Sequence, residues 1–446
     1  MLGHSSDDRA ELPIAPERVA GTRLAGDRRH THFVRAAGEM MSIAKFLLKV
    51  PQRTLDDLQD RLRRTRWAHE IHDGWTFGTD RRELRALVEH WTSTFDWRRQ
   101  EEAINRFAQF RADVNGVGVH FVHERGVGDD PLPLILTHGY PDSFLRFEKI
   151  IPMLTRPEAH GADPGDAFDV VAPSLPGFGF SDKPTQAGAI FHVGDLWHTL
   201  MTEVLGYERF AAHGGDWGTT VTEQLSRSHA RSLVGVHLTD VPFWHLFQKP
   251  NDLSHDEQRY IDATTKWQQK DGAYALIQGT RPYTLAPGLN DSPVGLASWI
   301  VDKFHAWSDC DGDVEKSFTK DELLTNVTLY WVTETIGSSF LPYADFVNAG
   351  AVTWAVEAFR QWVGSTGVPA AFAMFPKDIS HPPREWAARF FNVQRWTEMP
   401  RGGHFAAMEE PELLVDDIRR FFRPLRGERM HTNVRSARSG DTRSLR

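Results

Sequence analysis

The stretch His213-Gly214-Gly215-Asp216-Trp217-Gly218 decides how this chain is read. A short strand-like run, Arg209 to Ala212, leads into it, and Thr219 to Ser226, which can be helical, follows. A sharp turn from strand to helix, with glycine two residues to either side of a central residue, is the pattern of a nucleophile elbow; Asp216 stands where a serine is usual. The glycines matter because the central residue sits in a strained turn, where side chains two residues away would collide with strand or helix. The following residue, Trp217, offers its backbone N–H at the mouth of such a turn. Taken alone, the pattern fits an aspartate capping the next helix equally well.

Working outward, short apolar runs precede and follow the elbow. Val117 to Val122 reads as a strand, as do Leu132 to Leu136, Val170 to Ala172, Val234 to Leu238 and Ala370 to Phe375. Short buried strands with helical stretches between them predict a mostly parallel α/β sheet. The rhythm stops between Pro242 and about Tyr343. There helical patterns dominate, for example Ser292 to Trp307 and Thr319 to Thr333, and predict an inserted lid. Before the sheet, Leu55, Leu58 and Leu62 share one helix face, with acids early (Asp56, Asp57, Asp60) and arginines late, as the helix dipole prefers. Leu84, Leu87, Val88 and Trp91 mark a second amphipathic helix. The expected division is a disordered extension over 1–42, with a native start at Met40 or Met41; an N-terminal helical meander over 43–115; a core over 116–241 and 347–426; a lid over 242–346; and a disordered tail over 427–446.

An elbow enzyme takes its nucleophile, acid and histidine in that chain order. Past Asp216, the strand Ala370 to Phe375 delivers Pro376-Lys377-Asp378, which puts Asp378 just beyond a strand end. Arg401-Gly402-Gly403-His404-Phe405 supplies a histidine in a loop before a helix, Glu409 to Phe422. Asp240, after an earlier strand, is the rival acid. His138-Gly139-Tyr140-Pro141 can place the Tyr140 backbone N–H beside that of Trp217 as an oxyanion hole. A carboxylate nucleophile attacks an sp³ carbon and leaves an alkyl-enzyme ester, a chemistry unlike that of serine esterases and peptidases. Two leaving groups fit: a halide, for which the Trp217 indole is a donor, or a strained epoxide oxygen, for which a phenol is a suitable acid. The chain has only seven tyrosines beside 15 tryptophans, and five of them (Tyr260, Tyr274, Tyr283, Tyr330 and Tyr343) lie in the expected lid.

Composition narrows the field. With 446 residues, 40% hydrophobic and 25% charged, the chain has a globular balance. A net charge of −9 argues against nucleic acid as a partner. One cysteine, Cys310, excludes an intrachain disulfide and a multi-thiolate metal site. No apolar run reaches the roughly 18 residues a membrane span needs, so a cytoplasmic protein with no membrane partner is expected. Asp309 to Asp313 (DCDGD) has its glycine in the wrong place for a calcium loop and reads as a solvated acidic turn.

Several segments together resemble a known family, the α/β-hydrolase-fold epoxide hydrolases of the microsomal and juvenile-hormone type, with their soluble bacterial members. Leu58 to Trp67 (LQDRLRRTRW), Gly74-Trp75 and Phe95 to Arg98 are similar to the N-terminal epoxide hydrolase domain. Phe107 to Phe121, His138 to Pro141, Ala172 to Ser181 (APSLPGFGFS) and Gly214 to Gly218 continue the likeness. So do Leu289 to Ile300 (LNDSPVGLASWI), Leu324 to Trp331 (LTNVTLYW) and Pro400 to Phe405 (PRGGHF). The resemblance implies Asp216 as nucleophile, His404 as base and Asp378 as orienting acid, the last one methylene shorter than the glutamate common in the family. It implies two lid tyrosines that activate the epoxide, here Tyr274 and Tyr343. The surroundings of Tyr343 depart from the family, with Pro342 before it. The expected reaction converts a small apolar epoxide and water to a vicinal diol, with no cofactor and no metal. A haloalkane dehalogenase and a non-catalytic small-molecule receptor on the same fold are the alternatives. Self-association into a homo-oligomer is left open.

Overall fold

Runs of small and β-branched apolar residues buried on both faces make the centre of the sheet, as expected for parallel strands covered by helices. Every residue of Leu132–Thr137, Phe168–Pro173, Phe210–Gly214 and Leu233–Leu238 is buried. A computed structural model describes residues 32–34, 41–69, 74–247, 250–347 and 364–429. In chain order the strands are β1 (His32–Val34), β2 (Met41–Lys45), β3 (Gln109–Val114), β4 (Val117–Glu124), β5 (Leu132–Thr137), β6 (Phe168–Pro173), β7 (Phe210–Gly214), β8 (Leu233–Leu238), β9 (Pro369–Met374) and β10 (Asn392–Glu398). They form one sheet in the order β1-β2-β3-β4-β6-β5-β7-β8-β9-β10. The pairings from β1 through β4 to β6 are antiparallel, and those from β6 to β10 are parallel. The fold is the α/β-hydrolase fold, as expected.

Three details differ from the expectation. First, β1 and the start of β2 lie inside the stretch expected to be a disordered extension; the rest of 1–42 lies outside the described residues, as does the choice of start at Met40 or Met41. Short edge strands need little apolar periodicity, so the sequence pattern does not announce them. The meander expected to be helical also carries β3, which pairs with β2 and β4. Second, the first helix runs Gln52–Arg63, so Asp56 and Asp57 fall past its first turn. Asp57 instead pairs with Arg61 at 2.8 Å across one turn. Third, Asp309 does more than face solvent: its carboxylate accepts from the Gly402 N–H at 3.0 Å. The tail expected to be disordered lies beyond the described residues from position 430, as do 348–363 of the second core segment.

The N-terminal helices lie over the inserted helices. Thr79 Oγ1 donates to the Ser298 carbonyl at 2.7 Å, Arg61 to that of Asp291 at 2.8 Å, and His90 Nε2 meets Asp321 at 2.7 Å. The inserted helix Lys320–Thr333 in turn grips the loop after β5. Asn326 donates to the Pro141 carbonyl and the Tyr330 hydroxyl to that of Asp142, both at 2.8 Å. Among the described residues no helix is long and apolar enough to cross a membrane.

Candidate active site

Asp216 sits between β7 and the helix Trp217–Ser228 at φ 56°, ψ −126°. That conformation costs a non-glycine residue on the order of 1–3 kcal/mol and marks functional turns. Its side chain makes no capping hydrogen bond to the helix, which excludes the cap reading. Instead Oδ1 accepts from the Tyr140 N–H at 2.8 Å. The glycine pattern has a direct steric cause: a Cβ on Gly214 would stand 2.1 Å from the Gly218 carbonyl oxygen, and one on Gly139 would stand 2.2 Å from Asp216 Oδ1. Trp217 opens the helix, and the first amides of a helix have no carbonyl within it to bond. The two backbone N–H groups expected to form an oxyanion hole therefore belong to the turn that carries Asp216 and the loop that touches it.

His404 and Asp378 arrive from two loops tied together. Lys377 N–H donates to the Gly402 carbonyl at 3.0 Å, and Lys377 bridges Gly403 as a parallel pair. This brings His404 Nδ1 to 2.7 Å from Asp378 Oδ1, so the shorter carboxylate reaches the ring. The Ile379 N–H donates to the same oxygen at 2.7 Å. On its other side, His404 Nε2 stands 3.5 Å from Asp216 Oδ2. Burial works against a charge on this ring. The carboxylates of Asp378 and Asp216 outweigh it and push the imidazolium up to about 10.

Asp240, the rival acid, lies two residues past β8 and does not bond His404. It lines the same cavity. Burial, then the Asp378 carboxylate, pushes its carboxyl up to about 7.

Tyr274, in the helix Ala273–Thr280, and Tyr343, in the helix Leu341–Val347, face Asp216 across the cavity. Their rings are 5.9 Å apart, edge to face. Pro342 falls in the first turn of its helix, where the missing N–H costs nothing, and does not carry Tyr343 away from the site. Burial, then the Asp216 carboxylate, raises the Tyr274 phenol far above its ordinary range. Tyr343 is raised likewise by burial, then by Tyr274 and Asp216. The cavity holds about 380 Å³ and is walled largely by Phe243, Leu246, Phe247, Trp267, Phe346 and Val347. Apolar walls with a few convergent polar groups suit a small apolar ligand. Among the described residues, no group of three or more His, Cys, Asp or Glu is arranged to hold a metal ion.

Sequence reading missed some of what holds this site in place. Buried Arg146 donates to Asp142 at 2.6 Å and also to the His404 carbonyl, joining the loop after β5 to the histidine loop. The Tyr140 hydroxyl accepts from Gln278 Nε2 and Trp299 Nε1, both at 2.7 Å. No local spacing signals contacts that span more than a hundred residues.

Fold and site together define an enzyme of the α/β-hydrolase fold with an aspartate at its elbow. The family described as "Epoxide hydrolase N terminus" matches residues 43–147, and "alpha/beta hydrolase fold" matches 133–271. A protein of Stigmatella aurantiaca (strain DW4/3-1), whose name places it among epoxide hydrolases, is 41% identical over 86% of each chain. Juvenile hormone epoxide hydrolase 2 of Ctenocephalides felis is 32% identical over 77% of each. The solved structure of Aspergillus niger epoxide hydrolase is 29% identical, covers 85% of this chain and 96% of its own, and superposes with a TM-score of 0.73. The chain belongs to the epoxide hydrolase family, and its reaction is the hydrolysis of epoxides.

Proposed function

We propose that hydrolysis runs in two steps through an ester on Asp216. An Asp216 carboxylate oxygen attacks a ring carbon, the ring C–O bond breaks, and Tyr274 or Tyr343 gives its phenolic proton to the departing oxygen. The observation that carries this reading is the line Asp378–His404–Asp216, with an imidazole between two carboxylates. In the resting site both carboxylates keep His404 protonated. Ester formation removes the charge of Asp216, so the histidine proton can pass to the phenolate, leaving a neutral ring oriented by Asp378. That ring takes a proton from water as the water oxygen adds to the Asp216 carboxyl carbon. The N–H groups of Tyr140 and Trp217 receive the oxyanion. Collapse breaks the bond from the Asp216 carboxyl carbon to the alkoxide oxygen, which takes the remaining proton of the added water, so that the diol leaves and the carboxylate is restored beside an imidazolium.

The substrate of this proposal is a small apolar epoxide, supported by the aromatic and aliphatic cavity walls. A single-turnover reaction in ¹⁸O-water tests the covalent step. Label is expected in Asp216 after turnover, with the first diol carrying unlabelled oxygen from the protein. Diol oxygen drawn directly from solvent, with none in Asp216, would defeat the two-step reading.

A further inference from the structure

Trp299, Lys303 and Trp307 recur every four residues along and just past the lid helix Pro293–Ala306, and so share one face. That face meets Tyr274. The Lys303 ammonium lies 5.0 Å from the centroid of the Tyr274 ring, 5.7 Å from Trp299 and 5.9 Å from Trp307. All three are within reach of a cation–π attraction. Lys303 is buried, which is unusual for a lysine. One carboxylate pairs with it, that of Asp302 at 2.6 Å, and Asp302 is the more exposed of the two. Three rings thus surround the chain's own ammonium, and one of them is a tyrosine of the site.

The groups around Tyr274 make this placement chemically useful. The Asp216 carboxylate on the elbow, Tyr140 on the loop after β5 and Tyr343 on its own helix all face it. The nearest full charge on that side is negative, and it opposes any negative charge on the phenol. Lys303, paired with Asp302, places its ammonium over the face of the Tyr274 ring.

We propose that Lys303 is a positioning residue for epoxide opening: its ammonium, held on the face of the Tyr274 ring, favours passage of the phenolic proton to the opening oxygen. The attraction grows as negative charge develops on the phenol, so it acts more on the transition state than on the ground state. The proton leaves Tyr274 Oη for the epoxide oxygen while that oxygen's bond to carbon breaks and the Asp216 bond to carbon forms. Lys303 itself gives up nothing. The inference rests on the reading of Tyr274 as a proton donor.

The test separates the two steps. Quench-flow single turnovers with styrene oxide yield the rate of ester formation and the rate of ester hydrolysis. Lys303→Met is expected to slow ester formation about 10-fold and leave ester hydrolysis unchanged. Lys303→Arg, which keeps the charge, is expected to recover the rate to within about threefold. In a Tyr274→Phe background, Lys303→Met is expected to add nothing. Lys303→Gln gives the same neutral readout should the methionine variant fail to fold. Normal ester formation in the neutral variants, equal slowing of both steps, or a full additional loss in the Tyr274→Phe background would each overturn the inference. A Tyr274→Phe enzyme that forms ester at the normal rate would defeat the tyrosine reading itself. A slow Tyr274→Phe enzyme beside a normal Lys303→Met enzyme would defeat only the role of Lys303.

Discussion

The sheet wall and the lid wall of this cavity are built in opposite ways. On the sheet side, Asp216, Asp240 and Asp378 follow three adjacent strands, β7, β8 and β9, and His404 lies between two of them. Backbone N–H groups fix two of these carboxylates, Tyr140 on Asp216 and Ile379 on Asp378. On the lid side the ionisable groups that line the cavity are phenols, placed by ring packing: Tyr343 lies 4.9 Å from Trp217, and Tyr274 lies 5.1 Å from Trp307. One wall gathers negative charge; the other stays neutral because burial and that charge hold its phenols protonated. The contrast teaches a division of labour. The carboxylates are held by backbone N–H groups, whereas the phenols are kept dry and opposite them.

The strongest way to break this contrast is to remove the proposed nucleophile. Asp216→Ala is expected to lower diol formation from styrene oxide by at least about 10⁴-fold, as chiral gas chromatography would measure. Residual activity above a hundredth of the parent would mean that the sheet wall does not supply the attacking atom. Next comes His404→Gln, with an expected loss of about 10³-fold. Here the ester should still form, so intact-protein mass spectrometry should find one adduct per chain after mixing with substrate. A dead variant with no adduct would show that His404 is needed for opening as well, and the two-wall division would fail.

Substitutions in the lid should act on the other step. Tyr274→Phe and Tyr343→Phe are each expected to slow ester formation by about 10- to 100-fold while sparing its hydrolysis. Loss of both should cost more than either alone. If single turnovers show either phenylalanine variant slowing hydrolysis instead, that tyrosine belongs with the sheet wall's chemistry.

The same division explains what was legible in the sequence. The sheet wall was readable because each of its groups ends a strand or turn with its own local signature. Gly214 to Gly218, Pro376 to Asp378 and Gly402 to His404 are short, and chain order narrows their roles, leaving only Asp240 as a rival to Asp378. The lid wall was less readable. Tyr274 and Tyr343 stood out only through the scarcity of tyrosine and the family likeness, since helix periodicity does not say which face meets a cavity. The contacts of Lys303 with Tyr274, and of Gln278 and Trp299 with Tyr140, gave no signal, because they arise when segments distant in sequence pack together. Arg146 was hidden for a similar reason: its link to His404 spans 258 positions.

Asp240 offers the smallest and sharpest test, because it is a sheet-wall carboxyl with a lid-wall protonation habit. Its carboxyl is pushed from the usual 3.8 to about 7 by burial, then by Asp378. In the unfolded chain it ionises near 3.8, so between about 4 and 7 the folded state holds the extra proton. Stability must therefore fall as pH rises through that window and stay lower above it. Asp240→Asn, which cannot ionise, removes this penalty. Its melting temperature relative to the parent should rise with pH, by about 2 °C between pH 4 and pH 8. The change in turnover should stay within about threefold, since His404 is oriented by Asp378. Differential scanning calorimetry at the two pH values checks the sign. A stabilisation equal at both would mean that Asp240 ionises as it does in water; the sheet wall would then carry three charged carboxylates, and the first two would exert no hold on the third.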